Sequence, residues 1–307
     1  MSASARPDVS VVIVSWNTRA LTTACLASLP AAAGRTSWDV VVVDNASSDD
    51  SVAAIRSGFP TVQIIANATN IGFAAANNQG IRASTGRYVL LLNSDTLAAP
   101  GSLEVLVAFA DAHPRAGVVG PRLENPDGSF QTGPTPFPSL WTELLSVTGI
   151  GRRLTYRGYP SRREAVSLTA QPTDYVVGAC MLARREAIDQ VGALDEGYFM
   201  YSEEPDWCWR MRQTGWETWF TPAAVITHLG GQSTRQVREA MLVALYRSKV
   251  RFFRRHRGAA SAAALTGVFV AVSGIRRLLR RILRLDPPGV ALRPADVWTE
   301  PRRPRQG

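Results

Sequence analysis

Cysteine is scarce in this chain, and so are the signatures that would make its class obvious. Three cysteines among 307 residues, Cys25, Cys180 and Cys208, are too few and too widely spaced for a disulfide framework or a zinc site, which points to a reducing compartment. No leader is expected, because the first apolar run, Val9 to Val14, is too short for the core of a signal peptide and no cleavage site follows it. G-x-G-x-x-G is missing after the first predicted strand and G-x-x-x-x-G-K-[ST] is missing altogether, which argues against a dinucleotide fingerprint and against a P-loop. No internal repeat is visible. Wholesale disorder is also excluded, since 46 % of the residues are hydrophobic and 19 % charged. The length suits about two domains, or one large α/β domain with an appendage.

Charge is present but unevenly placed. The formal net charge is +9, yet from Arg235 onward 17 Lys and Arg face 4 Asp and Glu, which leaves residues 1–234 mildly acidic. The tail therefore addresses an anionic partner, while the body is free to do something unrelated.

The first 120 residues alternate short apolar runs with helical patterns. Val9 to Ser15, Val40 to Asp44, Val62 to Ala66 and Tyr88 to Asn93 have the near-continuous apolar character of strands buried on both faces. Helices are predicted over Arg19 to Leu29, Asp49 to Ser57, Ala74 to Ala83 and Ser102 to His113. This order implies right-handed crossovers and a doubly wound sheet, with ligands beyond the carboxyl ends of the strands. From Asn125 to Gln171, Pro, Gly, Ser and Arg prevail, and a loop with a short helix near Trp141 to Val147 is predicted. Further on, helices are predicted near Arg185 to Val191 and Pro205 to Thr214, and strands at Trp216 to Phe220 and Val225 to His228.

Short polar groups cluster at the predicted strand ends: Ser15-Trp16-Asn17, Asp44-Asn45 and Asn93-Ser94-Asp95. Such groups can hold a nucleotide and a metal on its phosphates, or simply cap helices and build turns. Together with their surroundings they carry a resemblance. VSVVIVSWNTRALTTACLASL, VVVDNASSDDS, NIGFAAANNQGI and LLLNSD occur in the order seen in family 2 glycosyltransferases of the GT-A fold. The long segment from VVGACMLARREAI through DEGYFMYSEEPDWCWR to VITHLGGQS resembles the acceptor half of the rhamnosyltransferase-like branch.

The resemblance, over about residues 9–234, implies an α/β GT-A fold, a Rossmann-like, mostly parallel sheet with helices on both faces; the residues of the tail add a C-terminal helical, membrane-associating extension. It implies that Ser15, Asn17, Asp44, Asn70, Gly72, Asn93 and Asp95 surround a nucleotide sugar, with Gly72 allowing close approach of the backbone. Asn93 departs from the commonest Asp-x-Asp pattern, so a cation, Mn²⁺ or Mg²⁺, would rely on Asp95, on the diphosphate and on His228. Glu204, with Glu203 beside it, stands where the family places its catalytic general base; the competing reading is that Ser202 caps a helix whose acids offset the dipole. Asp206 and Arg210 are expected to form an ion pair. Trp207, Trp209, Trp216 and Trp219 fit a core better than a sugar platform.

The implied function is an inverting, metal-dependent transfer of a sugar, rhamnose being one candidate, from a dTDP- or UDP-sugar to a lipid-linked or polysaccharide acceptor in cell-envelope glycan synthesis. The alternatives are a sugar nucleotidyltransferase and a non-catalytic relative that binds glycan or lipid. In the tail, 18 uncharged residues, Gly258 to Ile275, are followed by RRLLRRILR. Cationic clusters on both sides disfavour crossing a bilayer, so peripheral attachment to an anionic surface is expected, at the inner face of the plasma membrane. No nucleic-acid partner is expected, since no matching fold motif accompanies the arginines. The expected organisation is a catalytic domain at 1–234, a basic amphipathic region at 235–286 and a disordered tail at 287–307.

Overall fold

The computed structural model describes residues 6–151, 160–161, 164, 167–230, 238–282 and 296–297. The strands are β1 (Val9–Ser15), β2 (Trp38–Asp44), β3 (Gln63–Ala66), β4 (Tyr88–Asn93), β5 (Thr96–Ala98), β6 (Ala116–Glu124), β7 (Phe130–Thr132), β8 (Gln171–Thr173), β9 (Cys180–Arg184) and β10 (Glu217–His228). The helices are α1 (Arg19–Ala33), α2 (Ser51–Gly58), α3 (Phe73–Ala83), α4 (Ser102–Ala112), α5 (Leu140–Thr148), α6 (Arg185–Val191), α7 (Glu203–Gln213), α8 (Arg238–His256) and α9 (Ala259–Ile282).

One sheet organises the molecule, with strand order β3-β2-β1-β4-β9-β6-β10-β5 and with β7 and β8 pairing β6 and β10. Its first half is parallel, as the apolar runs predict. Beyond β4 it becomes mixed, because β9 runs antiparallel to both β4 and β6. Alternate residues feed opposite layers. Val9, Val11, Ile13, Leu90 and Leu92 pack with Cys25, Leu29, Leu103 and Leu106 of α1 and α4. Val12, Val89, Leu91, Met181 and Ala183 face α3, α6 and α7. The cysteines are free and buried, as their spacing implies.

The second layer continues past residue 234. Tyr246, Val250, Phe252 and Phe253 of α8 and Ala262, Leu265 and Phe269 of α9 are buried in the same cluster as Trp207 and Met211. The segment joining β10 to α8 and most of the region after α9, including the expected tail at 287–307, lie outside the described residues save 296–297.

Several elements differ from the sequence reading. β6 is absent from it because Gly117, Gly120 and Pro121 read as breakers; the strand accommodates Pro121 where its register with β10 slips, between Thr221 and Val225. The same irregularity explains why β10, one strand in the structure, reads in the sequence as two. β5, β7 and β8 are too short to show a period. Besides the expected short helix, α5, whose Ser139 makes a capping box with Thr142, the stretch expected to be mostly loop holds β7 and is bridged from Thr135 to Tyr175.

Candidate active site

The carboxyl ends of β1, β2 and β4 converge, and their polar residues are held by one another. Ser15 is fully buried, and its hydroxyl lies 3.2 Å from that of Thr18 and 3.0 Å from that of Thr22. Thr18 in turn meets Ser94 at 3.1 Å, so this hydroxyl cluster ties the end of β1 to the turn after β4. Ser15 thus supports the site from beneath and has no surface to offer a ligand, contrary to its expected place against the nucleotide. Asn17, in the left-handed region at φ 50°, accepts from the backbone N–H of Ser48 at 2.8 Å, and its own N–H donates to Ser47 at 2.9 Å. It locks the loop after β1 to the loop after β2.

Asp44 is buried, and one of its oxygens accepts from the Ser47 N–H at 2.9 Å. The other, Oδ1, is buried without a partner. A buried acceptor left unpaired costs stability unless a ligand donates to it, and a ribose hydroxyl or a base N–H has that chemistry. Asn45, which sequence reasoning left without a role, holds the next loop. Its amide donates to Asn70 at 2.8 Å and accepts from the Ile71 N–H at 3.1 Å. Asn70 also accepts from the Gly72 N–H at 3.0 Å, so its carbonyl oxygen is engaged in shaping its own loop.

Gly72 is required, but for a different neighbour than expected. At φ 90° its added Cβ would lie 2.6 Å from the carbonyl oxygen of Phe199. Its glycine character therefore admits the backbone of the segment leading into α7, rather than a nucleotide.

Asp95 and His228 come together because β5 pairs antiparallel with β10, placing Thr96 opposite His228. Asp95 Oδ1 lies 3.3 Å from His228 Nε2, close enough for both to reach one cation. Gln131 on β7 fixes the imidazole. Its Nε2 donates to the His228 carbonyl at 2.8 Å, which turns its Oε1 to accept from His228 Nδ1–H at 2.7 Å. With Nδ1 engaged in this way, Nε2 is the ring atom on the Asp95 side, and a partner that orients the other ring nitrogen is the usual support of a ligating histidine. No group of three or more His, Cys, Asp or Glu side chains poised for a metal occurs among the described residues, so a cation here would complete its shell with substrate oxygens and water. The donor set of one carboxylate and one imidazole fits Mn²⁺ at least as well as Mg²⁺. Asn93 adds no charge, but its buried Oδ1 is another unpartnered acceptor at the same edge.

Glu203 and Glu204 open α7. Ser202 does not cap the helix with its side chain; it and Tyr201 both adopt left-handed backbone, at φ 65° and 69°. Two consecutive non-glycine residues in that region store strain at the base of the acidic pair. Glu204 Oε1 accepts from the Gly178 N–H at 3.4 Å, while Oε2 is buried without a partner. The neighbouring Ala179 carbonyl accepts from the Asn93 N–H at 2.9 Å, so the Gly178–Ala179 pair is hydrogen-bonded at one end to Glu204 and at the other to the start of the Asn93–Asp95 turn. Burial pushes the Glu204 carboxyl above the usual range, against the pull of the backbone donors. Glu203, also buried with one unpartnered oxygen, is pushed well up by burial and by the charge of Glu204. Gly178 is a residue that sequence reasoning missed, although it lies in the VVGAC segment singled out there.

Asp206 is fully buried. It meets Arg210 at 2.8 Å, as expected from their spacing, and also His256 of α8 at 2.7 Å and the Tyr198 hydroxyl at 3.3 Å. Burial raises its carboxyl, but the hydrogen bonds from His256 and Arg210 outweigh burial and hold it below the usual range. Trp207 is core, and its indole N–H donates to the Gly192 carbonyl at 2.8 Å.

Residues 10–192 match the family described as glycosyl transferase family 2. A Mycobacterium tuberculosis protein named N-acetylglucosaminyl-diphospho-decaprenol L-rhamnosyltransferase is 31 % identical over 283 residues, covering 85 % of this chain and 92 % of that one. Among solved structures, a Pyrobaculum calidifontis mannosyltransferase in complex with GDP-Man and Mn²⁺ aligns with TM-score 0.53 at 18 % identity, over 92 % of this chain and 82 % of that one. GalNAc-T7 with UDP, GalNAc and Mn²⁺ aligns with TM-score 0.53 at 16 % identity, over 73 % and 43 %. These two likenesses concern the fold.

Proposed function

The chain belongs to glycosyl transferase family 2, and from that premise we propose that it moves a sugar, with inversion, from a nucleoside diphosphate donor to a lipid-linked or polysaccharide acceptor of the cell envelope. A dTDP- or UDP-sugar is the donor class. Rhamnose and a polyprenyl diphosphate acceptor come first, because the similar mycobacterial protein carries those terms in its name. Family membership speaks against a nucleotidyltransferase, and the unpartnered carboxylate at Glu204 supports catalysis over a non-catalytic relative.

The observation that carries this reading is Glu204 Oε2, a buried and unpartnered oxygen of a carboxylate whose other oxygen is tied, through Gly178 and Ala179, to the backbone of Asn93. Displacement at the anomeric carbon needs the acceptor hydroxyl to lose its proton as it attacks opposite the leaving diphosphate. Glu204 takes that proton on Oε2, and its raised pKa makes it the stronger base. The Gly178 N–H holds Oε1 and so orients the carboxylate. Asp44 Oδ1 and Asn93 Oδ1 accept hydrogen bonds from donor groups of the nucleotide sugar. When bound at Asp95 and His228, Mn²⁺ or Mg²⁺ supplies positive charge to the leaving diphosphate.

The proposal includes peripheral attachment to the inner face of the membrane. Ala259–Leu278 is long and apolar enough to cross a bilayer, with mean hydropathy 1.5. One side of α9 is nevertheless committed to the protein, with Phe269 against Tyr246 at 4.4 Å between ring centroids. A helix docked on the body along one face and apolar on the other suits the plane of the interface.

The test is release of nucleoside diphosphate from a panel of nucleotide sugars, using the full chain, Mn²⁺ and, in parallel, a polyprenyl diphosphate acceptor and a polysaccharide acceptor. A cation-dependent product that Glu204→Gln suppresses is expected. Failure to consume any donor with either acceptor class would sink the proposal.

A further inference from the structure

Large apolar side chains stand in solvent on α5 and α9, two helices that pack on each other. Trp141 is 65 % exposed and Leu140 39 %, and Ile150, just past the end of α5, is 44 % exposed. On α9, Ile275 and Leu278 are 57 % and 58 % exposed. The two helices pack on each other, and the Arg276 guanidinium donates to the Val147 carbonyl, so these residues belong to adjoining surfaces. One such side chain on a surface is ordinary, but a cluster on two touching helices marks an interaction site.

The orientation of α5 is fixed from below. Val147 and Glu143 are buried, and Glu143 pairs with Lys249 of α8, the only lysine in the chain. With that face committed, Trp141 is held outward on a rigid element. The charge around the patch selects the partner. Arg276 and Arg277 are exposed beside Ile275 and Leu278, the sequence continues with Arg280, Arg281 and Arg284, and no acidic residue occurs between Arg257 and Asp286. A second copy of this chain would bring the same positive charge to the contact. A bilayer with anionic headgroups offers both the opposite charge and an apolar interior, and tryptophan and arginine suit its interface.

We propose that α5 and the outer face of α9 form one membrane-docking surface, with Trp141 as an anchor supplied by the catalytic body and anionic phospholipid as the ligand. It deepens the reading of a lipid-linked acceptor and takes its purpose from it. The segment ahead of α5 is laced to the loop that carries Gly178: the Phe137 N–H donates to Asp174 at 2.8 Å, and Thr135 bridges Tyr175. Docking through α5 therefore fixes how the loop beneath Glu204 is presented to the bilayer.

The experiment is flotation of the full chain with vesicles of phosphatidylcholine containing phosphatidylglycerol, in low and high salt and without any glycan acceptor. Trp141→Glu is expected to reduce partitioning at least tenfold and to abolish the part that survives high salt, whereas Trp141→Phe retains most of it. An unchanged thermal transition and unchanged hydrolysis of soluble donor establish that the variant is folded. Equal partitioning of Trp141→Glu and wild type would overturn the proposal. So would a wild-type dimer in lipid-free buffer that Trp141→Glu converts to a monomer, because the face would then belong to a second copy. Since the vesicles carry no acceptor, a failure of sugar transfer would count against the functional proposal and leave this one standing.

Discussion

Asp95 is the only carboxylate in the Asn93-Ser94-Asp95 turn, so the charge that this turn offers a cation comes from one side chain. Asp95→Ala is expected to abolish the Mn²⁺ dependence of nucleoside diphosphate binding measured by calorimetry, while His228→Ala weakens it by roughly tenfold to a hundredfold. Binding by Asp95→Ala that still needs Mn²⁺ would take the cation away from this turn. Glu204→Gln is expected to bind donor normally and to lose about 10²-fold or more in kcat, because only the proton acceptor has gone. In wild type, kcat should fall as the pH drops through the raised pKa of Glu204, since the base works only when ionised. Glu203 behaves differently in stability. A carboxyl whose pKa is raised by folding holds its proton more tightly in the native state, so its contribution declines as the pH rises from the usual carboxylate range through the raised value. Glu203→Gln should therefore raise the thermal transition at neutral pH, a gain that shrinks on acidification. A large kcat loss in Glu203→Gln with none in Glu204→Gln would move the base by one residue.

Asp206 links two elements, the helix that starts with the acidic pair and α8, through His256. Its carboxyl is depressed on folding, so the stability it confers is fully present above the usual carboxylate range and is lost as the pH falls through the depressed value. His256→Ala leaves Arg210 in place but removes one donor to a fully buried carboxylate, and a loss of about 1–3 kcal/mol in urea unfolding is expected. No change would mean that Arg210, Arg255 and Tyr198 suffice. This contact also shows where sequence reading stops. β1, β2 and β4 were legible because burial on both faces leaves an unbroken apolar run, and Asp44, Asn93 and Asp95 were legible because they punctuate those runs. His228, Glu203 and Glu204 became legible only through the resemblance. Gln131 and Gly178 were not, since a glutamine on a three-residue strand and a glycine among valines have no period of their own; only the pairing of β7 with β6 and the packing of the Gly178 loop against α7 give them meaning.

At the scale of the whole molecule, the charge asymmetry and the packing make different demands on the same segment. The sequence places everything the chemistry needs before about residue 234, which would let the end of the chain be removed freely. The packing opposes that, because Ala262, Leu265 and Phe269 are buried in the cluster that holds Trp207 and Phe252. Removing residues 258–307 would uncover that cluster, and at about 1.5–3 kcal/mol for each large buried side chain the loss is expected to be several kcal/mol. Truncation therefore confounds detachment from lipid with loss of fold, and charge substitution is the cleaner test. Arg277, Arg280 and Arg281 changed together to Gln make that test, with the unfolding midpoint measured beside lipid binding. Near an anionic surface each arginine contributes on the order of 1 kcal/mol, a term that salt screens, so the variant should need a higher anionic fraction to bind and should show a shallower salt dependence. The apolar part of the attachment, through Trp141, Ile275 and Leu278, should remain and resist salt. Salt-independent, carbonate-resistant retention of both proteins would show that α9 leaves the body and spans the bilayer. Tighter binding of the wild type to DNA than to acidic vesicles would show that the arginines serve a nucleic acid instead.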